Sequence, residues 1–504
     1  MKIFTSVLLF LLAFTTSKME AQEVRAQVLD AVNKQPVAYA NIIFAPNRGV
    51  VTNEEGFFSY SPEDEKQPEL LAISSLGYEG IEIAPKQIAN GIILLKPSSI
   101  ELREVYLSNK NLSPKEIIKK VKEEVANNYD FDLSKKRVFF RQSDVSYIRK
   151  FDLHVDESTI EGIDQNLMNE ISRSIPKMSD SYKEVLADLY GNYDSQKLQI
   201  IKAANLYNPQ STQSLDQLTD KLERLFKDNL KKDSYLKIRS GIIGVKMDAK
   251  ELQEEIAASE EEKKEKTPEE KEKERIDSQK SLQKSANKKM QSLLSNMFWK
   301  EDITFNLFDK TNRYKFSLDG YAYIDNATVY VINFEPKRGA DYKGKIYVNA
   351  HDFGVHRLDY QNVKPLKRFR LFGIRTADDV YRGKMIFAKN EAGKYAVHYL
   401  ERETGESVGI DRPLTIIEKN KVVPGRNKQN ELDLDIDIRL SQLEKLQLVV
   451  FSNEAVENTG FESLSASDQF EYQTFKAYNP EFWNGYNIME PNAAIKQFTA
   501  LQAD

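Results

Sequence analysis

His154-Val155-Asp156-Glu157 has the H-x-x-E spacing at which a histidine and a glutamate can both ligate zinc, with His351, His356 or His398 left to supply a third ligand. A zinc site also needs a scaffold that brings distant ligands together, and no large parallel α/β pattern is visible to do so. His154 is therefore expected to face the surface from a strand. Gly405-Glu406-Ser407-Val408-Gly409 matches the G-x-S-x-G pattern of a serine nucleophile elbow. That elbow needs a helix after it and a base histidine further along. Here Pro413 and a β-type segment follow, and no histidine lies beyond His398. The expectation is a hairpin turn. His351 and His356 flank Asp352 and a glycine turn; without a third fixed ligand they are expected to be exposed polar residues. Thr52-Asn53-Glu54-Glu55-Gly56 lacks the spaced oxygens and distal bidentate glutamate of a calcium loop, so it too reads as a turn. No catalytic, cofactor-binding or metal-binding residue is assigned, and no cofactor is expected.

Two further stretches have the chemistry of surfaces. Lys364–Arg375 mixes Lys367, Arg368, Arg370 and Arg375 with Phe369, Leu371 and Phe372, a combination that suits anionic lipid, lipopolysaccharide or acidic glycan. The plainer expectation is a half-buried strand with one basic and one aromatic face. Tyr478-Asn479-Pro480-Glu481-Phe482-Trp483-Asn484-Gly485-Tyr486-Asn487 concentrates aromatics that are expected to tie the C-terminal tail onto the preceding sheet.

Composition narrows the classes. Among 504 residues there is no cysteine, which removes disulfides, thiol nucleophiles and a lipid-anchored cysteine. The formal net charge of −5 gives no global field for nucleic acid. Lys2, the apolar run Val7–Phe14 and Met19-Glu20-Ala21 read as a secretory signal peptide over residues 1–21, too short to span a bilayer. The 24 tyrosines and 26 phenylalanines favour antiparallel sheets.

The elements that must position these residues are mostly strands. Over residues 22–107, short apolar runs (Val24–Leu29, Ala38–Phe44, Phe57–Tyr60, Leu70–Ser75, Ile81–Ile83, Ile92–Leu95) alternate with turn signals, the rhythm of a two-sheet sandwich. Seven or eight strands are expected, with Val28, Ile42, Phe58, Ile73 and Ile83 in the core. Gly49 and Gly56 are expected to supply positive φ at the ends of a hairpin. The motifs Gln35-Pro36-Val37-Ala38-Tyr39-Ala40-Asn41-Ile42, Gly49-Val50-Val51-Thr52-Asn53-Glu54-Glu55-Gly56-Phe57-Phe58-Ser59 and Ile73-Ser74-Ser75-Leu76-Gly77-Tyr78-Glu79 come in order. Together they resemble the carboxypeptidase-regulatory-like domain of Bacteroidota proteins. That resemblance implies a transthyretin-like sandwich, which accompanies a separate catalytic domain in metallocarboxypeptidases and precedes the plug in many TonB-dependent transporters.

Ser113-Pro114-Lys115-Glu116 predicts a capped helix with Ile117, Ile118, Val121, Val125 and Tyr129 on one face, opening a second domain over residues 113–247. Strands are expected at Arg137–Gln142, Val145–Val155 and Tyr235–Val245, with mixed helix and loop over Ile163–Tyr207. Residues 248–297 form a charged, low-complexity, helical insert, with Glu260–Arg275 nearly all Glu and Lys. Eleven short strands are expected across residues 298–452, an antiparallel meander, and residues 453–504 form a tail. Tyr330–Lys337 followed by Tyr342–Val348 resembles secreted Bacteroidota proteins with the same first domain, and the strand rhythm is loosely similar to the curved sheets of periplasmic lipoprotein carriers.

The fold class is thus mainly β with helical insertions (α+β), an immunoglobulin- or transthyretin-like sandwich followed by a larger antiparallel domain. The function expected is that of a non-enzymatic exported cell-envelope protein, periplasmic or outer-membrane-associated, binding a protein, glycan or lipid. The alternatives are a secreted hydrolase acting on peptide or glycan through paired carboxylates, or a periplasmic carrier of lipid or lipoprotein.

Overall fold

The computed structural model describes residues 23–498, apart from residues 47, 62–67, 99–111, 208, 232, 263–266, 325–326, 338, 423–426 and 465–469. Residues 1–21, expected as a signal peptide, and most of the linker Ser108–Leu112 lie outside the described residues. The chain forms two units: Met1–Glu104 with Ala322–Thr328 and Asn479–Asn492, and the remainder.

Among the described residues of its N-terminal segment, the first unit has seven strands: β1 (Val24–Asp30), β2 (Asn41–Ala45), β3 (Arg48–Val51), β4 (Phe57–Tyr60), β5 (Leu71–Ser74), β6 (Ile81–Ile83) and β7 (Ile92–Leu95). One sheet runs β4-β1-β7, with β1 antiparallel to β4 and parallel to β7. The other runs β3-β2-β5-β6, all antiparallel. Period-two alternation buries Ala26 and Val28 on β1, and Ile42, Phe58 and Ile73 are buried as expected, while Ile83 is only half-buried. Gly56 has φ of 77°, but Gly49 does not adopt positive φ. Its requirement is spatial, since a Cβ there would sit 2.7 Å from the Ile42 carbonyl oxygen.

Part of the tail belongs here rather than to the preceding sheet. Phe482, Trp483 and Met489 are buried in Asn479–Asn492. The Asn487 carboxamide oxygen accepts from the Ser61 N–H at 2.9 Å, and the Asn53 amide donates to the Glu490 and Pro491 carbonyls. Two side-chain amides therefore satisfy backbone groups of both partners inside the unit.

The second unit opens with α1 (Pro114–Asn128), where Ser113 and Glu116 form the expected reciprocal cap and Ile117, Ile118 and Val121 are buried. Then follow β8 (Ser134–Ser158), α2 (Gln165–Ser174), β9 (Met178–Gly191), β10 (Gln196–Tyr207), α3 (Pro209–Asn229), β11 (Ser234–Ser240), β12 (Ile243–Asp248), α4 (Ala249–Glu262) and α5 (Pro268–Leu294). The strands that follow are β13 (Tyr314–Ile324) and β14 (Ala327–Pro336), whose adjoining ends over Ala322–Thr328 belong to the first unit, then β15 (Tyr342–Asn349), β16 (Val355–Asn362), β17 (Arg368–Leu371), β18 (Ile374–Lys389), β19 (Tyr395–Asn420), β20 (Lys428–Ala455) and β21 (Glu471–Phe475), with short helices at Asn458–Ser463 and Ala493–Lys496.

Neighbouring strands run β14-β15-β16-β18-β19-β20-β8-β9-β10, antiparallel throughout, and β21 adds to β10 in parallel. The fold is therefore β-rich α+β with a large antiparallel sheet. Segments expected as separate short strands are continuous. Arg137–Gln142 and Val145–Val155 are one 25-residue strand, and β19 and β20 run 26 and 28 residues. The stretch expected as mixed helix and loop holds α2 and two long strands, β9 and β10. Pro413 is tolerated inside β19 because it falls between the end of β18 pairing at Ile410 and the start of β11 pairing at Thr415, where no described strand asks for its missing N–H and its carbonyl accepts from the Ser240 hydroxyl at 2.8 Å.

The charged insert is helical, as expected, and its second half packs into the unit. Pro268–Ser278 is exposed, whereas Leu282, Ala286, Met290 and Leu293 recur at helical spacing and are buried. With α1 they cover one apolar core over Phe140, Leu400 and Leu448. A second core packs α2 (Leu167, Met168, Ile171) and α3 (Leu222, Leu225, Phe226) over Leu414, Ile416, Leu432 and Leu434. All of these β19 and β20 residues are even-numbered and share one face. The same face between the two cores holds Val408, Ile410 and Leu440, which are exposed. Helices thus cover both ends of the long sheet's apolar face and leave its middle open.

Candidate functional site

The middle of the sheet has a different character on its opposite face. Directly paired residues on adjacent antiparallel strands project to the same side. One such row reads Arg370, Arg375, Gly409, Arg439, Lys150 across β17, β18, β19, β20 and β8. The next reads Arg368, Ala377, Ser407, Ser441, Tyr147. At the centre of both rows the side chains are absent or small; cations flank Gly409 on both sides in the first row, and Arg368 closes one end of the second.

A cavity of about 660 Å³ lies there, lined by Arg149, Arg368, Arg370, Arg375, Ala377, Gly405, Ser407, Gly409, Arg439 and Ser441, with Val380 and Leu443 among its apolar contributors. That volume falls in the range of small-molecule sites. The floor follows from period-two geometry: Gly405, Ser407 and Gly409 project to one face of β19, so three successive positions on it are nearly empty. Neither glycine has positive φ. A Cβ at Gly409 would meet nothing closer than the Arg375 side chain at 3.8 Å, so that position is open, whereas Gly405 lies close under Leu443 and Val380.

Five arginines line the cavity against two acids, Asp379 and Glu406. Arg375 pairs with Asp411 at 2.9 Å, Arg439 with Asp437 at 3.1 Å, and Lys150 with the same Asp437 at 2.7 Å. The Arg149 guanidinium donates to the Ser441 hydroxyl at 3.1 Å and lies 4.6 Å from the centre of the Tyr147 ring. Lys150 and Asp437 hold each other ionised: the hydrogen bond between them raises the lysine pKa and lowers that of the carboxyl. Arg368 and Arg370 are exposed and have no ion-pair partner among the described residues. Arg370 directly opposes Arg375, a like-charge pairing that is unfavourable until an anion is shared between them.

The motif with elbow spacing is thus neither an elbow nor the expected hairpin turn. It is mid-strand, and its small residues make the floor of a trough. His398 precedes Ser407 by nine residues on the same strand, about 30 Å at roughly 3.3 Å per residue. His154 is exposed, as expected, with Nε2 3.7 Å from Asp156. It pairs in register with Asp435, and Glu157 with Asp433. Among the described residues no group of three or more His, Asp or Glu could hold a metal ion.

The two histidines beside the glycine turn separate. His351 is exposed, but His356 is buried, with Nε2 3.3 Å from the Tyr395 hydroxyl and 3.4 Å from the Asn349 amide. Burial brings its pKa down to about 4. Burial also pushes the Asp352 carboxyl up, but Lys389, the Gly354 N–H and the Tyr395 hydroxyl outweigh it and hold the carboxyl below its usual value. This is a structural network under the turn. Thr52–Gly56 is a turn as expected: the Thr52 hydroxyl donates to Val37 O, and Asn53 Oδ1 accepts from the N–H groups of Glu55 and Phe57.

Reading the sequence for nucleophiles and ligands missed the trough, although a signal was present. Glycine and serine at alternate positions within a β segment, beside the basic Lys364–Arg375, mark an empty strip on one face of a strand. Arg149 and Arg439 carried no local signal, because strand pairing alone brings them to the site.

No family model and no curated protein matches the chain. Among solved structures, the complex of Pseudomonas aeruginosa MucA/MucB aligns with 70% of this chain and 97% of that one at 6% identity and a TM-score of 0.15, too low to bear on fold or function.

Proposed function

We propose that this chain is a non-enzymatic, exported cell-envelope protein whose large unit binds an anionic amphiphile in the trough between β17 and β20. The observation that carries this reading is the arginine-rimmed trough itself: five guanidiniums around a floor of Gly405, Ser407 and Gly409, with apolar Val380 and Leu443 beside it. Guanidinium forks suit phosphate and carboxylate heads, and the apolar lining suits the start of a hydrocarbon tail. The sheet interior offers no assembled nucleophile and base around Ser407, which favours binding over hydrolysis. Export rests on the signal-like Lys2–Ala21 segment. The first unit is proposed as a docking module, on the resemblance of its three motifs to carboxypeptidase-regulatory-like domains.

The reading is tested by filling the floor. Gly409→Val has room for its Cβ on a β-compatible backbone, so the fold should persist while the trough narrows. Affinity for monomeric dodecyl phosphate, measured by calorimetry, is expected to fall by about tenfold or more, the equivalent of ~1.4 kcal/mol. An unchanged affinity in a folded Gly409→Val protein would remove the trough as the site.

A further inference from the structure

The geometry points to a second role for the β17–β18 hairpin: its tip inserts into the surface of an anionic lipid bilayer. β17 and the start of β18 pair from Arg368–Ala377 to Leu371–Ile374, leaving Phe372 and Gly373 as a two-residue turn. Both turn residues have positive φ, 47° and 76°, as a type I′ turn requires. That conformation favours Asn, Asp or Gly at the first position, and a phenylalanine there is strained. The strained residue is not hidden: Phe372 is 58% exposed, Phe369 51% and Leu371 49%. A fold selected only for stability would place neither a phenylalanine nor an exposed one at that position.

The surrounding charge names the partner. Lys367, Arg368, Arg370 and Arg375 stand directly behind the apolar tip, and neither Arg368 nor Arg370 is neutralised by a carboxylate among the described residues. An apolar, aromatic tip with a basic collar matches an anionic interface, where aromatic rings enter the headgroup layer and cations meet lipid phosphates. The two-residue tip is long enough to enter only the headgroup layer, so the hairpin would dock the protein on the surface. Leu371, Phe372 and Gly373 are not part of the trough lining, so the two roles are separable.

Phe372→Asn is the decisive variant, because Asn-Gly is the preferred type I′ turn and the hairpin should be retained or strengthened. With the full chain, vesicles of phosphatidylglycerol and phosphatidylcholine should sediment the wild-type protein, and vesicles of phosphatidylcholine alone should not. Phe372→Asn should lower partition onto the anionic vesicles about tenfold, and Phe372→Trp should restore it. Phe372→Asn should still bind monomeric dodecyl phosphate as the wild type does, which separates loss of docking from loss of the trough. Equal partition of wild type and Phe372→Asn, absence of binding to anionic vesicles, or loss of self-association in Phe372→Asn without vesicle binding would each overturn the proposal.

Discussion

Replacing Arg141 with Met is expected to destabilise the large unit by about 3–5 kcal/mol, the cost of leaving a buried carboxylate without its counter-ion. Arg141 on β8 and Glu184 on β9 are 2% and 0% exposed, with the guanidinium Nη2 2.6 Å and Nε 2.8 Å from Glu184 Oε1. The pair is fixed by strand register, since Arg141 lies directly opposite Glu184. Phe139, two residues before, puts its ring 5.3 Å from the guanidinium. Without the arginine, Glu184 stays fully buried and loses this guanidinium. The double replacement Arg141→Met/Glu184→Leu should recover most of the loss, because apolar groups of similar volume commonly equal a buried ion pair. Urea unfolding of the four proteins checks this. A single-replacement loss under about 1 kcal/mol, the size of an exposed pair, would show that the site is hydrated.

Acid should remove a further part of the stability well above the carboxylate range. The His356 pKa is about 4 in the folded protein against an ordinary 6.5, and burial is the main cause. His398, with its Nε2 buried and unpartnered, is likewise brought to about 4 by burial. The unfolded chain takes up protons at these imidazoles as the pH falls through 6.5, while the folded chain does not. The contribution is therefore complete above pH 6.5 and is lost progressively down to pH 4. For His356 it amounts to about 3 kcal/mol, at ~1.36 kcal/mol per pKa unit. Denaturation midpoints measured from pH 7.5 to 4 should fall steeply, and His356→Asn should flatten the slope by about one proton. An identical slope in the variant would mean that His356 is accessible and titrates normally when folded.

The sequence was most legible where burial is one-sided. Period-two runs such as Val24–Leu29 and Phe57–Tyr60 announced their strands, and Ser113-Pro114-Lys115-Glu116 announced its helix, because in each case the signal is local. Lengths were illegible for a physical reason. On the apolar face of β19 and β20, polar Arg402, Thr404, Glu406, Gln442 and Glu444 interrupt the pattern and imitate turns, yet backbone pairing continues through them without a register shift. β9 escaped notice because Val185, Leu186, Ala187 and Leu189 are buried on both faces, which erases the alternation. The trough is a product of register. Gly409 meets Arg375 and Arg439 only because two long strands align residues 34 and 30 positions away. The tail misled in a similar way: its aromatics predicted packing, but nothing local in Phe482 or Trp483 says which unit they enter.

The most direct test of the account is a head-group comparison at constant tail on the full-length protein. Calorimetric titration with monomeric dodecyl phosphate should show saturable one-to-one binding, at least about tenfold tighter than dodecyl maltoside, with the preference shrinking as salt screens the arginines. Replacing Arg368 and Arg370 together with Gln should erase most of that preference while leaving the weaker, tail-driven binding in place. Equal affinity for the charged and neutral head groups, or no saturable binding of either, would contradict an anionic-amphiphile site in the trough.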